Sequence, residues 1–215
     1  MSEQAVPRRI LNAGLVLVVL LITGWVVWFS VALIRADFAS MPARFRLDAW
    51  LNGRAQWTIS EWLEARDGLQ EAAAITPDNP MLQDYLGSLY ALRGIQAWRD
   101  ESLRQSYFAE ALEHQQASLK LREHNAPAWS NLALSLYATN QQGPALEHAI
   151  RRAIALGESD PGVRRTLLDV LLPTWTKQPP DLRAWAIARY RDAPDWERQA
   201  MRVQAQRKGF KSFPE

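Results

Sequence analysis

Residues Ile10–Ile34 form a run of 25 residues without a single charge, and Asn12, Thr23 and Ser30 are its only clearly polar members. As a helix rising 1.5 Å per residue, the run reaches roughly 37 Å, against roughly 30 Å for the hydrocarbon core of a bilayer. A helix buried in a soluble core needs one apolar stripe, whereas this run is apolar on every side. It is also longer than the apolar region of a cleaved secretory signal, about 7–15 residues. Trp25, Trp28 and Phe29 crowd its second half, as at a membrane–water interface. The run therefore predicts a retained single-pass transmembrane anchor over 10–34, preceded by a leader at 1–9. Arg8, Arg9 and the α-amine precede it, and Arg35, Arg44 and Arg46 follow it, so positive charge does not fix its orientation. The short leader suits a signal anchor in a bacterial inner membrane with the bulk of the chain in the periplasm.

Composition removes several functions. Cys is absent, which excludes disulfides, thiol nucleophiles and Cys-ligated metals. The net charge of +2 lacks the basic excess of a nucleic-acid binder. His114, His124 and His148 stand too far apart for the i, i+4 pair of a helical metal site. No G-x-G-x-x-G, Walker A, G-x-S-x-G or H-E-x-x-H motif occurs. Neither an enzyme nor a metal or organic cofactor is expected.

Beyond the anchor the chain reads as all-α. Sustained period-two alternation is missing, and the pairs Asn52-Gly53 and Asp67-Gly68 are not flanked by alternating segments, so no hairpin signal appears. Thr58 with Glu61 forms a capping box, and Trp62, Leu63, Arg66 and Leu69 follow at helical spacing. Pro77 and Pro80 separate that helix from the next, and Leu182, Trp185, Ala186, Arg189 and Tyr190 mark a later one. Pro194 can start a last helix that Gly209 ends. Its basic end, Arg198, Arg202, Arg207, Lys208 and Lys211 against Asp195 and Glu197, reads as a solvated helix terminus.

The helices repeat. Ala65-x3-Leu69-x2-Ala72, Ala111-x3-Gln115-x2-Ser118 and Leu146-x3-Ile150-x2-Ala153 align, with Ala72, Ser118 and Ala153 spaced 46 and 35 residues apart. The second interval is close to the 34 residues of a tetratricopeptide repeat, and the first fits 34 plus an insertion of about 12 around Ile95–Gln105. Small residues, Gly87 and Ala133 among them, sit where two backbones would cross, and Trp129, Leu86, Leu132 and Tyr90 fill the gaps. This pattern resembles the tetratricopeptide-repeat family. Glu123 and Glu158 stand where the family's proline falls, and Gln115 where a large apolar residue is expected. The reading divides the chain into anchor 10–34, juxtamembrane helical segment 35–57, repeats 58–172, and capping helices with a basic tail 173–215.

Pro42-Ala43-Arg44-Phe45 after the span, Ile75-Thr76-Pro77-Asp78-Asn79-Pro80, Ala128-Trp129-Ser130-Asn131-Leu132-Ala133-Leu134 and the Leu156-Gly157…Pro161-Gly162-Val163 turn are similar to VpsP-type polysaccharide biosynthesis proteins. That resemblance implies a membrane-anchored scaffold that holds protein partners in exopolysaccharide biosynthesis or export. A chaperone-like tetratricopeptide receptor for exported clients, in secretion or cytochrome assembly, fits the same repeats. In such arrays the first helix of each pair lines a concave, peptide-binding face. The register turns Asp84, Ser88, Asn131, Leu134 and Tyr137 towards it. Asn131 stands where peptide-clamping members of the family place an Asn, whose two donors and carbonyl grip a backbone or carboxylate. With Asp84 and Ser130 where the clamp's lysines would be, a neutral or basic partner segment is expected.

Overall fold

The computed structural model describes residues 8–97, 99–211 and 213. It is helical throughout, with no strand among the described residues. Residues 1–7 of the expected leader lie outside them. Two compact units, 1–78 and 79–215, divide the chain.

The first unit consists of α1 (Arg8–Leu51) and α2 (Ile59–Ile75). The uncharged run does not end a helix: α1 continues past Arg35 for four more turns, straight through the expected boundary at Ile34. Its first part is long and apolar enough to cross a membrane, and none of its best window is buried against protein. A core helix of a soluble domain would be covered. Further along, Ala36, Ser40, Ala43, Leu47 and Trp50 form a buried stripe at spacings of four and three. They meet Trp62, Ala65, Leu69 and Ala72 of α2, so one helix serves as span and as first member of a hairpin. Pro42 withholds one backbone N–H from this helix but lies on its exposed side. Small residues let the backbones close: a Cβ on Gly68 would come within 2.9 Å of the Ala39 carbonyl oxygen. The capping box forms as read, with Thr58 N–H donating to Glu61 Oε2 at 2.8 Å and Glu61 N–H donating to Thr58 Oγ1 at 3.3 Å. These bonds hold the Glu61 carboxyl below its ordinary pKa, the Thr58 N–H first among them.

The second unit stacks α3 (Pro80–Gln96), α4 (Glu101–Leu121), α5 (Ala126–Ala138), α6 (Pro144–Gly157), α7 (Pro161–Leu171), α8 (Pro180–Asp192) and α9 (Asp195–Arg207). Proline within the first turn and Asn79 or Asp160 as N-caps begin several of them, because a ring that lacks an N–H costs nothing there. Helices α3 and α4 form one hairpin, α5 and α6 the next, and α4 and α7 both pack on α5. The insertion read around Ile95–Gln105 is not a loop. It lengthens α3 to 17 and α4 to 21 residues, against 13 and 14 for α5 and α6.

Gly87 explains how this longer hairpin tolerates Gln115. A Cβ at Gly87 would lie 3.0 Å from Gln115 Cγ and 3.3 Å from the Ala111 carbonyl oxygen, so the missing side chain is the space the glutamine stem fills. Ala133 is fully buried in the core that α5, α6 and α7 share. Trp129 covers its edge, with its indole N–H on the Glu123 carbonyl at 2.7 Å, His148 edge-on at 5.4 Å and Arg152 over the ring at 5.7 Å.

His114 stacks on Tyr90 at 5.5 Å, and its Nδ1 lies 2.7 Å from Gln83 Oε1. Burial lowers its pKa from 6.5, outweighing the pull of Glu110 and Glu113. Below 6.5 the unfolded chain binds a proton that the folded chain resists, so stability falls as pH drops through that value. Urea midpoints at pH 7.5 and 5.5 are expected to differ, and His114→Gln to reduce the difference. An unchanged difference in the variant would contradict the burial effect.

Candidate functional site

Three helices, α3, α5 and α7, bring Ile95, Leu134, Tyr137 and Asp169 to one cavity of about 410 Å³. Arg104 and Phe108 in the first half of α4 and the turn 173–177 close its sides. Two of the five residues read from the register therefore meet here, Leu134 and Tyr137, and both also pack against the core. Ser88 and Asn131 are half-buried on α3 and α5 and do not line this cavity.

Asp84 has another task. Its Oδ2 accepts from Arg122 Nη2 at 2.8 Å and from Asn125 Nδ2 at 2.7 Å, fastening α3 to the α4–α5 turn. Its charge is thereby matched within the protein, and the expectation of a basic partner loses its footing. Sequence spacing could not see partners 38 and 41 residues away.

The cavity's own chemistry is chiefly neutral hydrogen bonding. Tyr137, Asn140, Gln142, Thr174 and Thr176 surround the apolar Ile95, Leu134 and Phe108. Asn140 is held at φ 58°, the left-handed region that Asn tolerates better than most residues, and so turns the chain sharply after α5. Of the charges, Asp169 pairs with Lys208 at 3.3 Å and Arg104 pairs with Glu101, while Lys177 is exposed. Polar groups around an apolar floor suit an extended peptide, whose backbone needs donors and acceptors and whose side chains need pockets. Among the described residues no group of three or more His, Cys, Asp or Glu side chains gathers as a metal site would require.

The sequence reading missed a second feature. Glu197 on α9 and Arg164 on α7 are buried together, at 7% and 14% side-chain exposure. Arg164 Nε donates to Oε1 at 2.7 Å and Nη2 to Oε2 at 2.8 Å, a bidentate fork, while Nη1 reaches the Glu158 carbonyl at 3.1 Å. Gln204 Nε2 adds a bond to the Arg165 carbonyl at 2.8 Å. The basic side chains Arg202, Arg207, Lys208 and Lys211 are exposed as read, while the other face of this end is docked: Met201 and Ala205 are buried, and Phe210 and Phe213 pack edge-on around Trp175 at 5.9 and 5.7 Å.

What fold and cavity define together is an all-α array of helical hairpins with a peptide-sized recess, on a chain whose first helix can cross a membrane. No protein-family model matches the chain, and no curated protein matches it.

Proposed function

We propose that this protein is a membrane-tethered adaptor of the tetratricopeptide type, which holds an extended segment of a partner protein against α3, α5 and α7. The observation that carries this reading is the 410 Å³ cavity, where helices from successive hairpins converge on an apolar floor rimmed by neutral donors and acceptors. The apolar first half of α1 supports a membrane tether. We set that tether in the bacterial inner membrane, with the hairpins in the periplasm. Resemblance to VpsP-type proteins supports setting the adaptor in exopolysaccharide biosynthesis or export.

Tyr137→Phe with Gln142→Ala removes hydrogen-bonding groups and hardly disturbs the packing, since Gln142 is exposed and the Tyr137 ring is kept. Partner recovery from detergent-solubilised membranes is expected to fall at least about tenfold, the worth of one or two hydrogen bonds. The melting temperature should stay within about a degree of wild type. Undiminished recovery would remove the cavity from the binding site.

A further inference from the structure

A larger recess, about 680 Å³, lies between α7 and α9, away from the proposed peptide site except for the Asp169–Lys208 pair that borders both. Helices on the surface of a soluble domain normally turn a polar face to water. Here α9 exposes Trp196 (63%) and Val203 (36%), one above the other at i and i+7 with Ala200 between them. Those three form an apolar floor.

The charges around the floor are unbalanced. Both carboxylates are consumed within the protein, Glu197 by Arg164 and Asp169 by Lys208. Arg165 and Arg207 remain on the rim, exposed and without an ion pair among the described residues. A flat bilayer cannot enter a concave cleft, whereas an amphipathic helix can lay an apolar face into one and place carboxylates over rim cations. We infer that the α7–α9 groove is a second docking site, which takes an acidic amphipathic helix of a partner protein. Its apolar side chains rest on Trp196 and Val203, and its carboxylates face Arg165 and Arg207. The adaptor then has two separate points of attachment, and this one does not depend on the cavity under α5.

The test uses the full chain in neutral detergent micelles and fluorescence anisotropy of three synthetic labelled helices. One carries leucines at i, i+3, i+4 and i+7 with glutamates elsewhere; the second has lysines for the glutamates; the third scrambles the acidic sequence so that no apolar face forms. The acidic amphipathic helix should bind, more tightly at 50 mM than at 300 mM salt, and the other two at least tenfold more weakly. Arg165→Glu with Arg207→Glu should weaken binding at least tenfold, and Trp196→Ser should do so independently, both with unchanged helicity by circular dichroism. Tyr137→Phe with Gln142→Ala should leave it intact. Equal binding of all three helices, or binding that survives the charge reversal, would overturn the inference. So would Trp196-dependent self-association of the chain, or Trp196-dependent binding to phosphatidylglycerol vesicles without binding of the helix.

Discussion

Glu197→Ala is expected to destabilise the second unit by about 3–5 kcal/mol, because it leaves the Arg164 guanidinium buried without its counter-charge. The loss should appear as a shifted urea midpoint with early protease cleavage within α9, since the bidentate fork is a main clasp between α9 and α7. Replacing both partners by leucine separates two causes. If the cost belongs to the orphaned charge, Arg164→Leu with Glu197→Leu should recover most of the stability, since a packed apolar pair often matches a buried ion pair. A loss below about 1 kcal/mol for Glu197→Ala would place the pair in the class of surface salt bridges, against its burial.

The other large effect concerns α1. An arginine at the centre of a transmembrane helix costs about 2.5–3.5 kcal/mol on insertion scales, so Val19→Arg with Ile22→Arg should cost roughly twice that. Wild-type chain is expected to stay in the pellet after alkaline carbonate extraction, and the double variant to appear mostly in the supernatant. Both positions are exposed in the protein, so the hairpin with α2 should survive the change. Full retention of the double variant would mean that the chain is held at membranes by something other than this helix.

Local patterns foretold the helices, and distant partners decided what they could not. The capping box at Thr58, the small residues at Gly87 and Ala133, and the uncharged run each carry their physics within a few residues of sequence. Ile34 marks where the uncharged run ends, and the segment read as helical from residue 35 joins that run in one helix. The small-apolar stripe Ala36, Ala43, Leu47 and Trp50 was present in the sequence to show that α1 continues. Asp84 and Glu197 were legible only as charges on helix faces. Their partners lie 38 and 33 residues away in the chain, and only folding brings them together. Of the five positions placed on the concave face by register, Leu134 and Tyr137 reach the cavity, whose other walls come from Phe108 and the turn 173–177, which the repeat pattern does not contain.

A chain without cysteine permits a direct test of the central claim, that a membrane-tethered hairpin array holds a partner on the face of α3, α5 and α7. A single cysteine is introduced either at the exposed Gln142 beside the cavity or at the exposed Gln116 on α4, and fitted with a short photo-cross-linker in intact membranes. A discrete protein adduct is expected from position 142, absent from position 116 and reduced about tenfold in the Tyr137→Phe background. Adducts of equal yield from both positions, or none from position 142, would contradict the claim.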